Sequence, residues 1–214
     1  MHMMNVLERK YNAGSWWPMA RGFRPSEWEV CAGAILTQNT SWSNVEKALD
    51  NMKKAGITNA RKTLSCSDSM LRKLVRPSGF YNQKACRLKA LARFVLSFRS
   101  FRDFQRSVTR EQLLGLKGVG KETADAILLY ACHRPFFVVD AYTRRVFSRL
   151  GYIRGDEEYD AIRLIFEKHL MDAAGMKKMH GLIVEHAKHS CRKEPQCASC
   201  AIRKHCAFSS CIKI

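Results

Sequence analysis

Near the C-terminal end of this chain, Cys191, Cys197, Cys200 and Cys206 follow the spacing C-x5-C-x2-C-x5-C. Four thiolates in so short a loop can hold zinc tetrahedrally or an iron–sulfur cluster, and the spacing alone does not choose between them. Upstream, Asp140 closes the run Pro135-Phe136-Phe137-Val138-Val139-Asp140. A lone carboxylate there can cap the following helix. Placed against a sugar, it can also stabilise a developing oxocarbenium ion or activate water. Before it stands Leu116-Lys117-Gly118-Val119-Gly120-Lys121-Glu122. Gly118 and Gly120 allow a tight turn and a close backbone approach, and the N–H groups opening the next helix form a ready anion site. Lys117 and Lys121 add charge on either side. A further group is aromatic. Trp16-Trp17-Pro18 cannot place both rings on one helix face, and Pro18 disfavours helix at Trp17. This stretch reads as an arm that either covers core or offers a wall for a planar ligand.

These side chains need a scaffold, and its periodicity is helical throughout. Ser26 with Glu29 has the form of a capping box, opening a helix with Val30, Ala34, Ile35 and Leu36. A polar run, Thr37-Gln38-Asn39-Thr40-Ser41, separates it from a helix over Ser43–Lys54 that Gly56 stops. Helices are predicted around Ser67–Leu74 and Asn82–Ser97, with the turn-rich loop Arg76–Asn82 carrying Phe80 and Tyr81 between them. Glu111–Leu116 enters the glycine hairpin. After Asp140 come a helix ending at Gly151, with Arg144 and Arg145 expected beside the carboxylate, then Tyr159–His169 and Gly175–Lys188, the last with Leu182, Ile183 and Ala187 inward. No strand and no repeat is evident. The expected class is all-α.

The 214 residues suffice for one large or two small domains. The net charge of +18 points to a polyanionic partner, most simply nucleic acid. No apolar run is long enough to span a membrane, and the first ten residues lack the apolar centre of a signal peptide, so a cytoplasmic location is expected. Of nine cysteines, Cys31, Cys66, Cys86 and Cys132 read as small core residues. The C-terminal group reads as a metal or cluster site rather than as disulfides, with Cys211 left over.

The hairpin Leu116–Gly120, the aspartate of Val138-Val139-Asp140, the four cysteines, and Gly79-Phe80-Tyr81-Asn82-Gln83-Lys84-Ala85 together resemble the helix–hairpin–helix DNA glycosylase superfamily in its endonuclease III branch. The likeness spans about residues 26 to 206. It implies two helical lobes flanking a DNA-binding cleft. One lobe would be 1–25 together with 131–214, carrying Asp140 and the cysteine loop. The other would be 26–130, ending in the hairpin. It also implies a [4Fe–4S] cluster rather than zinc, although the first cysteine gap is one residue shorter than usual. Bifunctional members have a nucleophilic lysine at the position that Glu122 holds here. Without that amine no Schiff base forms with the sugar, which implies a monofunctional enzyme. Within the branch, Trp16-Trp17-Pro18, Gln38-Asn39-Thr40, Trp42 and Glu122 are similar to the 3-methyladenine DNA glycosylase III group. There the tryptophans, the proline and the aromatic after Gln-Asn-Thr line the base pocket.

The resemblance therefore implies a base-excision-repair DNA glycosylase that acts as a monomer on double-stranded DNA containing a damaged base. Lys117, Gly118, Gly120 and Lys121 would grip phosphates. Phe80 would wedge the stack and Gln38 would fill the gap. Trp16, Trp17, Pro18, Trp42 and Glu122 would surround the flipped base, and Asp140 would be the catalyst. The alternatives are an endonuclease III-like glycosylase and lyase for oxidised pyrimidines, a mismatch-specific glycosylase, and a DNA-binding module without activity.

Overall fold

The computed structural model describes residues 2–11 and 26–211, with the side chains of His2, Ser210 and Cys211 left aside. Trp16, Trp17 and Pro18 lie outside the described residues. Among the described residues every regular element is helical, as the all-α expectation required. Two compact units emerge, residues 26–133 and residues 2–11 with 134–211.

The first unit is assembled around α2 (Glu27–Leu36). Its cap is the one the sequence specifies: Ser26 Oγ accepts from the Glu29 N–H (3.2 Å) and the Ser26 N–H donates to Glu29 Oε2 (2.6 Å). Every residue from Val30 to Leu36 is buried, as in a helix that is apolar all round and forms the core. The buried Trp28 donates from Nε1 to Thr63 Oγ1 at 3.0 Å. Around α2 stand α3 (Trp42–Lys54), α4 (Ala60–Ser65), α5 (Asp68–Val75), α6 (Tyr81–Leu96), α7 (Phe101–Ser107), α8 (Arg110–Leu114) and α9 (Lys121–Ala126). α4 and α7 are short helices with little apolar periodicity and so leave no clear mark in the sequence. What defines them is a polar cap, Asn59 accepting from the Lys62 N–H and Ser100 from the Asp103 N–H. Beyond α9 the chain widens into a π-turn, Ile127–Ala131, wholly buried and closed by a Cys132 N–H to Ile127 carbonyl bond of 3.0 Å.

The second unit joins α1 (His2–Lys10) to α10 (Ala141–Leu150), α11 (Tyr159–His169), α12 (Ala173–His189) and α13 (Ala207–Cys211). The first residues, a short polar segment in the sequence, form a helix that packs on α12 through the buried Leu7. In the cysteine loop lie two single 3-10 turns, Cys197–Ser199 and Arg203–His205. Cys31 and Cys132 are buried as expected. Cys66 is only half-buried and Cys86 is exposed, because Cys86 falls on the outer face of α6 between the buried Ala85 and Leu88.

Candidate active site

The extended residues leading to Asp140 are held rigidly. Phe137, Val138 and Val139 are buried, and the Phe137 ring stacks on Phe166 of α11 with centroids 4.0 Å apart and planes 3° from parallel. Their backbone is tied as well: Phe137 N–H donates to Glu167 Oε1 (2.9 Å) and Val139 N–H to Tyr159 Oη (3.2 Å). Asp140 is thereby delivered as the N-cap of α10, with Oδ1 accepting from the Thr143 N–H at 2.7 Å. Its other oxygen, Oδ2, stands 3.5 Å from His180 Nε2 of α12. Burial works against the ionised carboxyl, but His180 and the Thr143 N–H outweigh it and hold its pKa below the usual carboxylate value. Asp140 is therefore a fixed anion at neutral pH, and its side chain keeps 15% of its surface exposed.

His180 is absent from the sequence expectations. With Met176 four residues before it and Ile183 three after it, it reads as one more inward position of an apolar face. The arginines expected beside the carboxylate serve elsewhere. Arg144 Nη1 donates to the Gly155 and Glu157 carbonyls (3.2 and 2.8 Å), and Arg145 donates to the Cys191 and Ala187 carbonyls (2.8 and 3.2 Å). These bonds commit both guanidiniums to backbone carbonyls rather than to the carboxylate.

In the other unit the hairpin joins α8 to α9. Gly118 has φ +87°, and a Cβ there would stand 2.2 Å from Arg87 Nε, so two independent constraints demand glycine. Gly120, the N-cap of α9, is different: a Cβ there meets no protein atom within 4 Å. Whatever asks for a small residue at 120 is therefore not internal packing. Lys117, Lys121 and Glu122 are exposed, the last in the first turn of α9. Beneath the turn, Gln38 Nε2 donates to the Gly118 carbonyl (3.0 Å) and to Thr123 Oγ1 (2.9 Å), while Arg87 Nη1 donates to Gln38 Oε1 (2.5 Å). Gln38 thus braces the hairpin in this state, and a gap-filling role requires it to release these bonds. Across the hairpin, Arg110 of α8 clasps the buried Asp125 of α9 with two bonds, 2.6 and 3.1 Å. Phe80 is left-handed at φ +45° and 62% exposed, an unusual state for a bulky apolar side chain. Trp42 is half-buried at the first position of α3. The aromatic arm it was expected to join falls on the residues outside the description.

One residue organises the two loops that carry Gln38 and Phe80. Lys84 is 1% exposed, and its ammonium donates to the Leu36 carbonyl at the end of α2 (2.8 Å) and to the Ser78 carbonyl two residues before Phe80 (2.6 Å). Burial, with the charge of Arg87 adding to it, pushes its pKa down to about 8.

The four cysteines converge on one pocket. Among the described residues no three Cys, His, Asp or Glu side chains are grouped to share a single metal ion. Cys191 Sγ accepts from Arg149 Nη1 at 3.4 Å, and Arg149 also donates to the Arg192 and Lys193 carbonyls (2.5 and 2.9 Å). Burial, and then the neighbouring Cys206, Cys191 and Cys197, raise the pKa of the Cys200 thiol. His186, pushed down to about 4 by burial and then by Lys10, stands with Nε2 3.9 Å from Cys200 Sγ, and its Nδ1 is 3.4 Å from Tyr11 Oη. An all-thiol donor set around a pocket, backed by a neutral imidazole and a guanidinium, fits a thiolate-held group.

Residues 32–171 match the model of the HhH-GPD superfamily of base excision DNA repair proteins. The chain belongs to this superfamily. It is 46% identical over 208 residues to a candidate DNA repair glycosylase of Methanocaldococcus jannaschii, covering 94% of this chain and 92% of that one. It is 27% identical over 183 residues to the endonuclease III of Thermotoga maritima, covering 84% and 82%. Among solved structures, the H. pylori 3-methyladenine DNA glycosylase bound to 1,N6-ethenoadenine superposes with a TM-score of 0.76 at 38% identity, over 87% of this chain and 96% of that chain. The protein is a base-excision-repair DNA glycosylase of endonuclease III-like fold.

Proposed function

We propose that this glycosylase is monofunctional and removes N-alkylated purines, 3-methyladenine foremost, from duplex DNA. The observation that carries the reading is Glu122 on the first turn of α9, a carboxylate where a lyase needs a nucleophilic amine. The likeness to a 3-methyladenine glycosylase supports the choice of substrate.

Chemistry on a base inside a duplex requires extruding it. The hairpin N–H groups at Gly118 and Gly120, with Lys117 and Lys121, hold one strand's phosphates, contacts that position without reading sequence. Phe80 enters the base stack as an apolar wedge. Gln38 follows into the gap once it leaves the hairpin. The flipped base is received by Trp16, Trp17, Pro18 and Trp42, with Glu122 at the edge. An N-alkylated purine is cationic, and electron-rich rings favour a desolvated cation by about 2 kcal/mol. The same charge makes it a good leaving group, so strong acid catalysis is not required. Asp140, held ionised, stabilises the positive charge that develops on the sugar and orients the attacking water.

Cys191, Cys197, Cys200 and Cys206 would hold a [4Fe–4S] cluster, which when bound braces the loop. Arg192, Lys193, Arg203 and Lys204 are carried on that loop and present its charge to DNA. The enzyme would work as a monomer on chromosomal DNA in the cytoplasm.

The test is base release from a panel of duplexes carrying alkylated purines, oxidised pyrimidines or mismatches, each repeated with borohydride. Release of alkylated purines without a trapped protein–DNA adduct is the expected result. Efficient trapping would refute the monofunctional assignment, and release of oxidised pyrimidines alone would refute the substrate. Iron and acid-labile sulfide analysis of anaerobically prepared protein checks the cluster, with zinc in place of iron as the contrary result.

A further inference from the structure

We propose that His180 is the positioning residue for Asp140: it orients the carboxylate from a second helix so that one face stays turned to the reacting sugar. This rests on the reading of Asp140 as the catalytic carboxylate.

The carboxylate is approached from two directions. The Thr143 N–H takes Oδ1 at 2.7 Å, a bond internal to the start of α10. That cap alone leaves the group able to swing about its Cβ–Cγ bond. His180 Nε2, 3.5 Å from Oδ2, approaches from α12 and defines the plane. Contacts of this kind are commonly long in ligand-free enzymes and tighten with substrate. The imidazole cannot wander. It is 4% exposed, and its ring meets Phe137 edge-on, with centroids 6.1 Å apart and planes at 90°. Phe137 in turn is stacked on Phe166. The same aromatic shelf thus orients both the backbone that delivers Asp140 and the ring that holds it. Alignment is where a small displacement is expensive, since an error of about 1 Å in a reacting group can cost roughly 100-fold in rate.

The experiment is single-turnover base release from methylated duplex DNA, run beside binding to a duplex containing an abasic analogue. The variants are His180→Leu, His180→Gln, His180→Asn and Asp140→Asn, each checked for helical circular dichroism. Glutamine can bring its amide nitrogen close to where imidazole Nε2 stands, and asparagine is too short to do so. The expected result is a fall of about 10- to 100-fold in the rate for Leu and Asn, recovery close to the wild-type rate for Gln, and unchanged DNA affinity in all three. Wild-type turnover in Leu overturns the proposal, as does a Gln variant no faster than Asn. If Leu fails to fold, the contrast of Gln with Asn decides alone. An inactive Asp140→Asn beside a fully active His180→Leu removes only the role of His180. A fully active Asp140→Asn removes the catalytic reading of Asp140 and the proposal with it.

Discussion

Asparagine caps a helix about as well as aspartate does but carries no charge. Asp140→Asn should therefore keep the cap of α10 and the thermal stability of the protein while losing base release. Asp140→Ala loses the cap too, and should cost a further ~1 kcal/mol in chemical denaturation. Equal stability of the two variants would mean that the Thr143 N–H bond contributes nothing. Lys84 has a different signature. Its folded pKa of about 8 lies below the ordinary value of 10.5. Below pH 8 the amine is protonated in both the folded and the unfolded chain, and the burial penalty is felt in full. Between pH 8 and 10.5 the unfolded chain binds more protons than the folded one, so stability rises with pH over that window. The urea midpoint of the wild type should climb across it relative to Lys84→Met, and parallel profiles would show that the ammonium is not strained by burial.

At the level of elements, the hairpin is stapled. Arg110 and Asp125 join α8 to α9 by two bonds, and the carboxylate is wholly buried. Taking away one partner of a buried pair typically costs about 3 kcal/mol. Arg110→Met should lose about that much in urea unfolding and should loosen the hairpin enough to weaken DNA binding. An unchanged midpoint would place the staple among decorative contacts. The sequence reveals elements whose cause is local. Ser26 and Glu29 mark the start of α2, the alternation of Tyr159–His169 gives α11 its bounds, and the two glycines give the turn. It hides partnerships made across the fold. His180 has the spacing of a core residue, and Arg144 and Arg145 stand next to Asp140 in the chain yet point elsewhere. The π-turn after α9 leaves no mark in an apolar run, because Ile127–Ala131 is equally apolar in an α-helix. Gln38 was legible as polar and exposed-looking, but its bonds to residues 80 and more positions away were not.

For the molecule as a whole, the +18 charge makes binding a counter-ion problem. Affinity for undamaged duplex should fall steeply with salt, by a slope of about −0.9 for each phosphate contacted on a log–log plot. Lys117→Ala should flatten that slope by about 1 without changing lesion preference. A slope left intact would take Lys117 out of the phosphate grip. Among the described residues no helix is long and apolar enough to cross a membrane. A last consequence concerns inheritance. The missing side chain at 118 is occupied space, filled by the Arg87 guanidinium, and that guanidinium is spent on Gln38, which is spent on the turn itself. Positions 38 and 87 are therefore coupled through one bond, while Gly118 carries a constraint of its own in its left-handed backbone. Across related genes the glutamine and the arginine should change together, and the glycine should persist even in a lineage that has lost the arginine.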